Sequence, residues 1–237
     1  MLYPVLLICG AVVLIFYVRE KIRAFSVKAV ILKSIVSAFF IAVGVYGMWL
    51  SSSGGSAPAI GPLIVMGLVC GLLGDIWLDL KYVFPEQQRP FTLAGFCVFG
   101  IGHIFYITGM LLTYSPKDRP LFAYIPFGLG VLMTIGNIVL EKPMKLDFGE
   151  LRPTVGIYGF FLFTMLTLSG SLAFAHGWKE MPLNLLFAGG VLFTLSDLIL
   201  SGTYFGEGKD RPIDIILNYI TYYGGQFLIA SSLIFLK

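Results

Sequence analysis

The sequence predicts an all-α fold: a polytopic membrane bundle of eight transmembrane helices forming a single transmembrane domain over 1–237. Two observations carry this. Only 12% of residues are charged and 57% are hydrophobic, with a mean hydropathy of +0.89, whereas a soluble domain carries about 25% charged residues. The apolar runs are also long enough to span a bilayer, which takes roughly 20 helical residues.

Eight such runs follow one another, at about 2–18, 27–50, 60–80, 91–113, 121–140, 153–175, 182–204 and 213–236. The first is read as a helix and not a secretory leader, because it lacks a basic start and a small-residue cleavage site, and Arg19 follows it directly. The second and third are joined by the small-residue stretch SSSGGSAP (51–58). The later runs are punctuated by Pro85, Pro90, Pro116, Pro120, Pro143, Pro153, Pro182 and Pro212 at or near their ends, where a missing N–H costs least. Pro62 and Pro126 are expected inside first turns. No connection is long enough to fold alone. Helices are the required reading, since unpaired backbone is too costly in lipid.

Charge orients the bundle. The first, third, fifth and seventh connections hold twelve Lys and Arg, among them Arg19, Lys21, Arg23, Lys81, Arg152 and Lys209; the other side holds Lys117, Arg119, Lys179 and Lys237. This bias puts the odd connections in the cytoplasm and both termini outside. With no eukaryotic targeting tail, a bacterial plasma membrane is the expected location. A formal charge of +3 is too small to suggest nucleic acid. Cys9, Cys70 and Cys97 all lie in apolar segments, which excludes a disulfide framework. Two histidines without ligand spacing argue against a metal site. No G-x-S-x-G elbow offers a hydroxyl nucleophile.

A faint internal echo is compatible with two parallel four-helix repeats. Asp75 in the third helix and Asp197 in the seventh are 122 residues apart; Gly102-His103 in the fourth and Gly225-Gln226 in the eighth are 123 apart. Repeats of this kind would be related by an axis along the membrane normal, bringing Asp75 and Asp197 face to face.

The chemistry sits in polar residues inside apolar runs. Gly67, Gly71, Asp75 and Asp79 recur at i, i+4 and share one face of the third helix, where the glycines let a neighbour approach. Asp79 lies near the cytoplasmic end, within reach of water. Asp75 and Asp197 lie deeper, where each acid costs roughly 2.5–3.5 kcal/mol on insertion, so both are read as functional. His103 and Tyr106 on the fourth helix, Asn137 on the fifth, Tyr158 on the sixth, and Asn218, Tyr222 and Gln226 on the eighth lie at similar depth. One by one, these are commonly interhelical glue. Their convergence from six helices on one depth predicts a pocket. His176 and the loop charges read as solvated surface.

Four blocks, GLLGDIWLDL (71–80), GFCVFGIGHIFY (95–106), GGVLFTLSDLIL (189–200) and YYGGQFLI (222–229), together resemble the YhhN-like lysoplasmalogenase family of integral membrane proteins. Lys33 is similar to a lysine the family places near the start of its second helix, although Ser34 stands here where a proline is more usual. The resemblance implies hydrolysis of the vinyl ether bond of a lysoplasmalogen, a lysophospholipid taken from the bilayer, to a fatty aldehyde and a glycerophospho-head group. It implies no cofactor, and it suggests Asp75 and Asp197 as the acids nearest the chemistry. Vinyl ethers are cleaved by protonation on carbon, giving an oxocarbenium ion that water captures. Two buried carboxyl groups suit this, one holding the proton and the other its charge, as in glycosidases. Which aspartate does which stays open. His103, Tyr222 and Gln226 are expected to hydrogen-bond the carboxylates or the water. Lys33 and Lys81 are expected to meet the lipid phosphate. The alternative reading is a proton-coupled transporter or flippase of a small lipid, since buried acids near a two-fold axis also suit proton relays.

Overall fold

The computed structural model describes residues 2–24, 26–52, 59–207 and 211–236. Eight helices run along the chain: α1 (Leu2–Arg23), α2 (Val27–Ser52), α3 (Ile60–Val83), α4 (Gln88–Tyr114), α5 (Leu121–Val139), α6 (Arg152–Ala175), α7 (Met181–Phe205) and α8 (Pro212–Ser231). Single 3-10 turns precede α4 and α6, and another closes the chain after α8. Most of the SSSGGSAP connection, together with Lys209 and Lys237 of the charge bias, lies outside the described residues.

Seven of the eight helices, α1 to α7, are long and apolar enough to cross a membrane. The eighth run is a helix of the bundle, yet its composition alone does not mark it as a span. Asp214, Asn218, Thr221 and Gln226 dilute its apolar character. Asn218, Tyr219, Tyr222, Tyr223 and Gln226 are buried, so α8 spends its polar face inside the protein.

Prolines stand in the first turns of α6, α7 and α8. Pro126 is the exception to the expected pattern, because α5 begins at Leu121 and places it in the second turn. It cannot donate to the Phe122 carbonyl four residues back. That carbonyl accepts a hydrogen bond from Ser171 Oγ of α6 at 2.8 Å instead. The orphaned acceptor is thus satisfied by a neighbouring helix, as backbone in lipid must be.

Neighbour relations repeat between the halves. Helix pairs α1–α2, α2–α3 and α3–α4 pack together, as do α5–α6, α6–α7 and α7–α8; α2 also packs on α8, as α6 does on α4. Tyr3 near the start of α1 bonds Ser231 at the end of α8, so both ends of the described chain lie at one end of the bundle. At the other end, Arg89 pairs with Glu150 and Leu146 bridges Gly206, tying the third, fifth and seventh connections together.

Glycine contacts set the close packing and repeat at the same offsets as the polar echo. A methyl on Gly102 of α4 would meet the Gly67 carbonyl of α3 at 3.1 Å; one on Gly225 of α8 would meet the Gly189 carbonyl of α7 at 2.8 Å. Rigid backbone on both sides leaves nowhere to move. Gly225→Ala is expected to cost about 1–3 kcal/mol, read as a lower unfolding temperature of the detergent-purified protein; an unchanged temperature would mean the helices separate at little cost.

Candidate functional site

On α3 the i, i+4 stripe faces the protein. Methyls on Gly67, Gly71 and Gly74 would run into Tyr106, Gln226 and Phe99, so these glycines admit side chains from α4 and α8 beside Asp75. Asp75 and Asp79 are each 2% exposed. Asp75 accepts hydrogen bonds from Ser37 Oγ of α2 at 2.6 Å and Tyr222 OH of α8 at 2.8 Å. Lys33 Nζ lies 3.2 Å from its other oxygen. A polar chain extends this shell: Tyr106 OH donates to Gln226 Oε1, and Gln226 Nε2 donates to Tyr222 OH.

Asp79 is buried and ion-paired, not wetted as its position near the helix end suggested. Lys21 Nζ is 2.8 Å and Lys33 Nζ 3.3 Å from its Oδ1, and Tyr17 OH donates to Oδ2 at 3.1 Å. Lys33 therefore bridges both aspartates of the stripe. It is 5% exposed. Lys81 is buried as well, its ammonium 3.0 Å above the Tyr204 ring. Both lysines expected to meet a lipid phosphate are thus buried within the bundle.

Asp197 approaches from α7 with a sparser shell. Tyr158 OH of α6 donates to its Oδ2, and among the described residues it has no ion-pair partner. Asp75 and Asp197 line the same cavity of about 420 Å³, together with Lys33, Tyr158, Asn218 and Tyr222. Phe96, Phe99 and Phe193 pack around it; Phe99 and Phe193 form edge contacts with Tyr222. Six helices contribute to the chamber, but α2 takes the place expected for α5. Asn137 of α5 lines a second, mainly apolar cavity of about 480 Å³, which shares Phe96, Tyr158, Asp197, Leu200 and Tyr204 with the first.

His103 departs from expectation. It is 1% exposed, and neither ring nitrogen has a hydrogen-bond partner among the described residues. Its ring packs edge-on against Phe193 at 5.0 Å and tilted against Tyr158 at 5.6 Å. It supports the chamber wall and bonds no carboxylate. His176, read as surface, lies within hydrogen-bond distance of the Tyr114 carbonyl at 3.0 Å.

Sequence reasoning missed Lys21, Tyr17, Ser37 and Tyr219. Tyr17 and Lys21 are i, i+4 on α1 and are two of its three buried residues; Lys33 and Ser37 are i, i+4 on α2. The same spacing that exposed the α3 stripe was available on both helices. A lysine at a helix end also fits an interface charge, however, so the spacing alone does not mark it as buried.

A model of the YhhN family matches residues 31–233, which include every residue lining the two-aspartate cavity. No curated protein and no solved structure shows significant similarity to the chain.

Proposed function

This chain belongs to the YhhN family, and we propose that it hydrolyses the vinyl ether bond of a lysoplasmalogen, with Asp197 as the proton donor and Asp75 as the carboxylate. The observation that carries the reading is the unequal surroundings of two acids on one cavity. Asp75 is paired with an ammonium and accepts two hydroxyl bonds, which suit the charged form. Among the described residues Asp197 is bonded by the Tyr158 and Ser196 hydroxyls and has no ion-pair partner, and it is the one to bring a proton.

In the proposed reaction Asp197 transfers its proton to the vinyl carbon remote from oxygen. The double-bond electrons form the new C–H bond, and the ether oxygen shares the positive charge. The Asp75 carboxylate stabilises this cation and takes a proton from the attacking water. The resulting hemiacetal breaks its C–O bond to the glycerol oxygen, which takes the proton held on Asp75 as it leaves, while the Asp197 carboxylate takes the hemiacetal hydroxyl proton and both acids return to their starting forms. Aldehyde and glycerophospho-head group are the products, with one water consumed. The apolar cavity beyond Asp197 and Tyr158, bordered by Val155, Leu162, Phe163, Leu198 and Phe205, suits the hydrocarbon chain.

The transport reading uses the same acids but requires a polar route to both ends of the bundle. The cavities that share residues with the chamber lie instead at the α5–α6 and α4–α6 faces and at the end where α1 finishes.

Purified protein in detergent is expected to release aldehyde from 1-alkenyl lysophospholipid and none from the saturated 1-alkyl analogue. In heavy water the aldehyde, reduced as it forms, is expected to carry a single deuterium on the carbon beside the carbonyl. Cleavage of both lipids, or product without that deuterium, would exclude protonation on carbon.

A further inference from the structure

A third cavity, of about 1010 Å³, lies where α1 ends, between α1, α3, α7 and α8. Lys21, Ile22, Arg23, Ala24, Tyr82, Leu200, Thr203, Ile215, Asn218 and Tyr219 line it, and three of these, Leu200, Asn218 and Tyr219, also line the two-aspartate chamber. The two spaces are thus adjacent compartments with a common wall.

Charge in this vestibule is one-sided. Its lining holds two cations and no acid. Behind it, two further buried lysines, Lys33 and Lys81, stand near two buried aspartates, Asp75 and Asp79. The Lys21 ammonium lies 4.1 Å from the centre of the Tyr82 ring, and that of Lys81 5.0 Å from it. Lys21 and Lys33 are committed to carboxylates. Arg23 is exposed, and among the described residues no carboxylate lies within ion-pair distance of it. A lining that carries two cations and no acid concentrates anions at its mouth, and a planar guanidinium matches phosphate oxygens in pairs.

We infer that this vestibule is an anion site that takes the phosphate of a lysophospholipid head group, with Arg23 as the residue that meets it. Lys33 and Lys81 are buried, with Lys33 held by two aspartates, whereas Arg23 is exposed; the vestibule adjoins the chamber at Leu200, Asn218 and Tyr219. A lipid with its phosphate at Arg23 would run past Asn218 and Tyr219 to the aspartates and continue into the apolar space beyond Tyr158. Its placement rests on the proposed reaction, which fixes the part of the lipid that must reach the aspartates; binding to the site does not require cleavage.

The test therefore uses ligands that cannot be cleaved. Equilibrium binding of a saturated 1-alkyl lysophospholipid and of the matching phosphate-free 1-alkylglycerol is measured on the purified full chain. Wild type is expected to favour the phosphate-bearing lipid by about tenfold or more, the scale of a charge-assisted pair of hydrogen bonds. Arg23→Gln should remove that preference without altering alkylglycerol binding. Arg19→Gln, an exposed arginine one turn earlier that does not line the cavity, should retain it. Excess inorganic phosphate should leave the lipid bound. Preference surviving in Arg23→Gln, equal loss in Arg19→Gln, or displacement by phosphate alone would overturn the head-group assignment. Failure of vinyl ether cleavage with the binding preference intact would overturn the reaction and leave the site standing.

Discussion

Asp75→Asn and Asp197→Asn proteins are each expected to lose aldehyde release by about 10²–10⁴-fold, the usual contribution of a positioned acid or base. Both should remain folded. Asn is isosteric with Asp, and Tyr158 keeps an oxygen acceptor at position 197. At position 75 the Lys33 ammonium keeps Asp79 at 3.3 Å, so no buried cation is left wholly unpaired. The measurement is kcat for aldehyde release alongside the unfolding temperature of each variant. Turnover within a few-fold of wild type in either variant would remove that acid from the chemistry. The two should also fail together: Asp75→Asn/Asp197→Asn is expected to be little worse than either single variant, because groups acting in one step are strongly non-additive.

Much of this site is legible before any coordinates, and the reason is energetic. A carboxylic acid within an apolar run is costly enough that Asp75 and Asp197 announce themselves, and the Gly67, Gly71, Asp75, Asp79 spacing tells which way α3 faces. Tyr222 and Gln226 on α8 follow from the same period. The equal offsets of the acids and of the Gly67/Gly102 and Gly189/Gly225 contacts show why the halves pack alike. Other features were hidden for physical reasons. A lysine near a helix end satisfies the positive-inside bias whether it points to water or inwards, so Lys21, Lys33 and Lys81 carry no sign of their burial. His103 is placed correctly by its period, but a pattern gives no knowledge of partners. The α8 helix joins the bundle as expected, but its composition alone does not mark it as a span, since its polar side chains are spent on the interior.

Replacing Asp79 tests the other half of the stripe, and the expected loss is of stability. Asp79→Asn leaves the Lys21 ammonium without the carboxylate that it meets at 2.8 Å, in a site where the lysine side chain is 4% exposed. Removing one partner of a buried pair costs roughly 3–5 kcal/mol, which for a chain of this length is on the order of 10 °C in unfolding temperature. The paired change Lys21→Met/Asp79→Leu removes the stranded charge along with its partner and should recover more than half of that loss, because well-packed apolar side chains commonly replace a buried ion pair at little cost. Lys33 stays neutralised throughout by Asp75 at 3.2 Å. Activity per folded molecule then separates the roles of the two stripe acids. Asp79 touches neither cavity that adjoins Asp197, so its effect on turnover runs through where Lys33 points, and it should fall well short of the loss in Asp75→Asn. An unfolding temperature unchanged by Asp79→Asn would mean that water from the vestibule that Lys21 lines carries the lysine's charge without the carboxylate, and that the ion pair adds nothing to stability.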